Sequence, residues 1–215
     1  MKKFLVVAAL FASMAAASAQ QFGVIGGLTL STLDGAKNPD ENKLMTLYQA
    51  GVAFKADLGA GFAIQPTLTY QVKGASVKQS NDVTSTSKTG FVELSVGAQW
   101  GPDLLAFRPY LFVEPYVGYG VTGSEKIGWS NISEELLKKY NTALGEAKNK
   151  LEYGVGAGLG VEIAQHIQLS CQLFRNFGAL YNKDKFGEGN LATVKSVYEG
   201  LKNYQGIKIN LAILF

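Results

Sequence analysis

FAIQPTLTYQVK, residues 62–73, alternates from end to end. Phe62, Ile64, Pro66, Leu68, Tyr70 and Val72 fall on one side of an extended chain, with Gln65, Thr67, Thr69, Gln71 and Lys73 on the other. A helix would scatter these two sets around its axis. A period of two sorts them onto the opposite faces of a β-strand. The stretch is also close to the length that a tilted strand needs to cross a bilayer.

The same alternation recurs along the chain. Apolar sets sit at Phe22, Val24, Leu28 and Leu30; at Tyr48, Ala50, Val52, Phe54, Ala56 and Leu58; and at Val92, Leu94, Val96, Ala98 and Trp100. They continue at Leu111–Val121, Tyr153–Ile163, Ile167–Leu173 and Ile207–Phe215, always on alternate residues. With 62–73 these make eight expected strands. An even number brings both ends of a barrel wall out on one side. The connections alternate as well: 58–61, 101–108 and 164–166 are short, while 31–45, 74–90, 122–151 and 175–203 are long. Tight turns at one end and long loops at the other are the pattern of an outer-membrane barrel.

Polar faces carry Lys55, Lys73, Glu93, Glu114, Glu152, Glu162 and Lys208. The apolar faces bring large aromatics near strand ends, at Tyr48, Phe62, Tyr70, Trp100, Tyr119, Tyr153, Tyr204 and Phe215. Aromatics bordering an apolar band are what a membrane interface selects, so the apolar face is read as facing lipid. The charged set is then interior. A buried charge without a partner is strongly disfavoured, which predicts pairing, with Glu114 and Lys208 expected in one interior network. The expectation is an all-β protein, an eight-stranded antiparallel up-and-down transmembrane β-barrel with long extracellular loops.

The closing strand, ending on Phe215 after Ile209, Leu211 and Ile213, resembles the C-terminal signature of bacterial outer-membrane barrels. Together with RPYLFVEPYVGYG (108–120), LEYGVGAGLGVEI (151–163) and LSCQLFRNFGALYN (169–182), it makes residues 20–215 similar to the PorT-like outer-membrane β-barrel family of Gram-negative bacteria. The resemblance implies the fold, recognition of the last strand by the barrel-assembly machinery and, as one functional expectation, an accessory role in protein export. It brings no catalytic residues with it.

Composition agrees with the strands: 25 glycines and 5 prolines in 215 residues suit tight turns and sheet. Met1-Lys2-Lys3, the apolar run Phe4–Ala12 and Ala17-Ser18-Ala19 read as a cleaved secretory leader spanning 1–19, which leaves 20–215 as the barrel domain. Losing Lys2 and Lys3 leaves 18 basic residues against 17 acidic ones. No concentrated basic face remains for nucleic acid. Cys171, the one cysteine, gives no disulfide or metal signal.

Gly154, Gly156, Gly158 and Gly160 keep a strict period of two, so they cannot form the strand-to-helix turn of a nucleotide-binding loop. They are read as bare interior backbone under the rings of Tyr110, Phe112 and Tyr116 on the neighbouring strand. His166, the one histidine, falls at a short turn, away from the rim where barrel enzymes work, so no enzyme, cofactor or metal is expected. In the 122–151 loop, Asn131 or Ser133 can cap a short helix carrying Leu137, Tyr140, Leu144 and Ala147. That loop is a candidate site for a protein partner. The functional alternatives are an interaction barrel acting through its loops, an export accessory, a small channel and an outer-membrane enzyme.

Overall fold

The computed structural model describes residues 20–33, 42–80, 83–104, 106–129, 135, 149–177 and 203–215. The expected leader at 1–19 and most of the long connection at 175–203 fall outside these residues. So does the expected loop helix at 131–147, Glu135 aside.

Among the described residues nine strands run in chain order: β1 (Gln20–Leu33), β2 (Asn42–Lys43), β3 (Met45–Gly59), β4 (Phe62–Ser80), β5 (Val83–Trp100), β6 (Phe107–Trp129), β7 (Leu151–Ile163), β8 (Ile167–Phe177) and β9 (Tyr204–Leu214). β2 is a two-residue strand paired to β4 above the barrel. The other eight are each antiparallel to their neighbours, and pairing of β1 with β9 and of β4 with β5 closes the ring. The fold is a closed eight-stranded antiparallel barrel. Closure leaves no edge exposed to hydrocarbon, where an unpaired N–H or C=O costs several kcal/mol.

The turns at one end are tight. Gly59 and Gly61 take φ of 82° and 78°, flanking Ala60 at 53°. Glycine carries no Cβ to clash in that left-handed region. At the next turn, Ala164 and Gln165 adopt φ of 50° and 63°, a conformation held there by the main-chain bond from His166 to Ile163 and by Gln21 Nε2 donating to the Gln165 carbonyl.

Burial follows the alternation and is inverted relative to a soluble protein. Leu111, Leu159, Leu173 and Phe215 are 60–71% exposed, whereas Lys55, Lys73, Glu93 and Lys208 are 0–2% exposed. Two rows of outward rings border the apolar wall. Tyr48 with Tyr70, and Tyr153 with Phe177, lie toward the long-loop end, and Phe62 with Trp100 toward the short turns.

Tyr204 corrects the sequence reading. It is 0% exposed, its ring meets Phe91 edge-on and its hydroxyl lies 2.9 Å from Ser87 Oγ inside the barrel. The cause is parity: Tyr204 shares even numbering with Lys208 and Asn210, the inward residues of β9.

Of the long connection expected at 74–90, read as a mobile exposed hairpin tip, residues 74–80 and 83–90 are strand. Pairing of β4 with β3 ends at Gln71, and pairing of β6 with β7 ends at Tyr119, yet β4, β5 and β6 stay paired to one another up to Ser80, Val83 and Trp129. Nine residues of strand reach ~30 Å. Threonine and serine pair across these strands, as Ser76 does with Thr86 at 3.3 Å, above a level at which Ala75, Ser87 and Thr89 are still buried.

Of the three prolines in the wall, Pro109 keeps its pairing with Val161, whereas Pro66 and Pro115, both on the outward side, each interrupt a ladder. The pairs Phe54–Pro66 and Lys55–Gln65 are missing from β3–β4, and Val96–Pro115 and Gly97–Glu114 from β5–β6, with the register unchanged on either side. Proline has no N–H to give.

Leu159 lies mid-strand between Leu111 and Cys171. Leu159→Arg should lower folding stability in lipid vesicles by about 2–4 kcal/mol, the cost of a cation near the bilayer midplane, read by urea titration. An unchanged midpoint would mean that this face does not meet lipid.

Candidate functional site

Inward residues from seven strands meet as two ion clusters at different heights. The upper one joins β4, β5, β6, β7, β8 and β9. Lys73 Nζ lies 2.8 Å from Glu93 Oε2 and 2.8 Å from Glu152 Oε1. Lys208 Nζ takes the other oxygen of Glu93 at 2.8 Å. Asn176 accepts from Lys73 Nζ at 3.3 Å and from Tyr116 Oη at 2.6 Å, and donates to Glu152. Two ammonium groups thus face two carboxylates.

Rings complete the cage. Lys73 Nζ stands 4.4 Å from the Tyr116 centroid and 5.2 Å from that of Phe174; Lys208 Nζ stands 4.7 and 5.4 Å from the same two. Desolvated cation–π contacts of this kind contribute ~2 kcal/mol each.

The lower cluster sits behind the short turns. Lys55 Nζ lies 2.9 Å from both Asp57 and Glu162. Glu162 also accepts from Gln168 at 2.7 Å and lies 3.6 Å from Arg108. Arg108 donates to Gln99 Oε1 at 3.1 Å and to the Gly61 carbonyl at 2.9 Å, which fastens the first short turn to the interior. Gln99 in turn donates to Gln65 at 2.8 Å.

Of the expected interior charges, Lys73, Glu93, Glu152 and Lys208 come together, and Lys55 with Glu162. Glu114 does not join Lys208. Its carboxylate accepts from Gln172 Nε2 at 3.2 Å, and Lys208 pairs with Glu93 instead. Glu114 lines a cavity of about 20 Å3 between the clusters, with Gln65, Gln99, Tyr110, Phe112 and Asn210 around it. That is room for about one water.

The glycine row is covered by two kinds of side chain. Tyr116 lies over Gly154 and Tyr110 over Gly160, so that a Cβ at either glycine would strike the ring. Gly156 and Gly158 are covered by Gln172, and Phe112, although paired with Gly158, leans 5.8 Å from Tyr110 instead.

Arg108 and Asp57 were missed as network members. Arg108 shares its parity with Tyr110, Phe112 and Tyr116, a signal available once β6 is started at Phe107 rather than at 109.

The lining is too well buried for an aqueous bore, because a water-filled pore would leave Lys73 and Lys208 wet; they are 0% and 1% exposed. His166 sits at the short-turn end, with Nδ1 3.0 Å from the Leu214 carbonyl oxygen. Among the described residues, no three His, Cys, Asp or Glu side chains are grouped to hold a metal ion.

A closed barrel with an apolar wall between aromatic rows and charges paired inside is a transmembrane β-barrel. Residues 11–182 match the model of the outer membrane protein beta-barrel domain, and the chain belongs to that family. Among solved structures it is similar to Neisserial surface protein A (NspA), at 10% identity and a TM-score of 0.46 over 90% of this chain and 97% of that one. It is also similar to Ail, the attachment invasion locus protein of Yersinia pestis, at 8% identity and 0.43 over 91% and 98%. No curated protein matches the sequence.

Lys73→Met should destabilise the barrel by about 3–5 kcal/mol, because Glu93 and Glu152 lose a shared cation in a dry interior. Adding Glu152→Gln should recover part of that loss. Glu114→Gln, which breaks no ion pair, should cost under ~1 kcal/mol. Urea midpoints in vesicles separate the three; equal losses for Lys73→Met and Glu114→Gln would contradict the cluster assignment.

Proposed function

We propose that the chain is exported with removal of residues 1–19, inserts residues 20–215 in the outer membrane through the assembly machinery's recognition of the strand ending at Phe215, and acts there as an interaction protein. Its lumen is closed by side chains, and its working surface is extracellular. The observation that carries this reading is the strand extension: β4, β5 and β6 stay in one sheet to Ser80, Val83 and Trp129, past the last β3–β4 pair at Gln71 and the last β6–β7 pair at Tyr119, with β2 paired to β4 at Ser76 and Val77. A barrel that served only to fill the membrane would have no use for a sheet continued past its closed wall. The 122–151 loop, which continues from that sheet, is the proposed seat of a protein partner.

The closed interior argues against conduction, and the placement of His166 against an active site. A second reading, an accessory of protein export, rests on the resemblance of residues 108–120, 151–163 and 169–182 to PorT-like barrels.

A photo-crosslinking residue placed on living cells at Lys88, an exposed side chain of the extension, should capture a protein, whereas one at Leu159 should capture lipid only. Capture of envelope proteins from Asp103, at a short turn, with none from Lys88, would favour the export accessory. In planar bilayers the intact barrel should give no steady conductance; a stable open level would overturn the closed lumen.

A further inference from the structure

We propose that a groove in the lipid-facing wall, at the seam where Pro66 interrupts the β3–β4 ladder, holds one acyl chain of a phospholipid from the periplasmic leaflet, with the Gln20 amide donating to that lipid's ester or phosphate oxygens.

The groove arises from the backbone. Pro66 cannot donate to Phe54, and the two adjoining pairs are absent although the register on both sides is continuous. Freed from a neighbour across the seam, Phe54 tips onto Phe22, with ring centroids 5.0 Å apart and edge to face. It is thereby only 9% exposed, although it lies on the outward side. What remains open is a groove of about 490 Å3, within the ~300–1,000 Å3 range of small-ligand sites. Phe22, Val52, Phe54, Pro66, Leu68 and Leu94 line it.

Its setting names the occupant. The groove lies between the aromatic rows and is continuous with the lipid-facing wall, so hydrocarbon meets it directly. An acyl chain seated there packs against side chains on both sides of the seam. Two polar residues, Gln20 and Thr67, line it, and the Thr67 hydroxyl is taken up inside the barrel by Ser95 at 2.6 Å. Gln20 pairs with Ala56 at the short-turn end, which faces the periplasm in barrels of this class. Gln20 Nε2 is buried and, among the described residues, has no hydrogen-bond partner. A buried donor left unmade is unfavourable and draws in an acceptor. The oxygens of a phospholipid's glycerol ester or phosphate stand at that depth and can accept from it. The groove is thus apolar along its length with one donor at its periplasmic end, which is the polarity of a single phospholipid chain below its headgroup.

The test uses the mature barrel, refolded in detergent, with folding shown by its heat-dependent band shift on a gel. Palmitoyl-oleoyl phosphatidylethanolamine is titrated in and binding is read by native mass spectrometry. One lipid per barrel should survive removal of the micelle. Leu68→Trp, which fills the groove, should lower occupancy roughly tenfold. Val52→Trp provides the same test should Leu68→Trp fail to shift on the gel. Leu159→Trp, elsewhere on the lipid face, should leave occupancy unchanged. Gln20→Ala should weaken binding several-fold. The proposal is overturned if wild type retains no lipid, if groove-filling variants retain as much as Leu159→Trp, or if a dimer forms in place of the lipid adduct, which would make the groove an interface between two copies.

Discussion

Hydrocarbon accepts no unmade backbone hydrogen bond, and the rest of this molecule follows from that constraint. A sheet in lipid must close, and here it closes between the first and last strands, Gly23 opposite Leu214 through Leu33 opposite Tyr204. Closing at eight strands leaves an interior only wide enough for side chains. The charged inward residues then meet one another in place of water. Lys73, on β4, finds its counter-charges on the neighbouring β5 and, across the bore, on β7, and not along its own strand.

A narrow bore also decides where bulk can go. β7 offers backbone alone at Gly154 and Gly160, and the rings of Tyr116 and Tyr110 occupy the space that side chains would have taken. The Tyr116 ring then stands near both Lys73 and Lys208, so the packing of a ring against glycine and the neutralisation of two cations are one arrangement. Two of the three strand prolines show the same constraint at its tolerance limit. Pro66 and Pro115 each remove a ladder donor, and both point outward, where their rings join the apolar wall instead of crowding the interior.

Much of this was legible in the sequence, because alternation is a local property. The strands, their inner and outer faces, and the burial of Lys55, Lys73, Glu93, Glu152, Glu162 and Lys208 follow from parity within each segment. Parity also carried the answer for Tyr204, which was set aside in favour of its aromatic character. A ring near a strand end is amphipathic and fits a membrane interface or a barrel interior equally well, so residue type could not decide what residue number did. The strand residues within 74–80 and 83–90 were missed for the opposite reason: serine and threonine stand at both odd and even positions there, so the apolar alternation fades.

Partner choice was beyond the sequence. That Lys208 meets Glu93 and leaves Glu114 to Gln172 depends on how far each strand slides past its neighbour, added around the whole ring. A shift of two residues between β8 and β9 would keep every face assignment and change every pair. The register is set jointly by the tight turns, the closure of β1 on β9 and the fit of side chains in the bore. The clusters are therefore a result of closure as much as a support for it. That is why Arg108, bonded to a turn carbonyl, to a carboxylate and to a glutamine from three different segments, belongs to the site although no neighbouring residue in the sequence announces it.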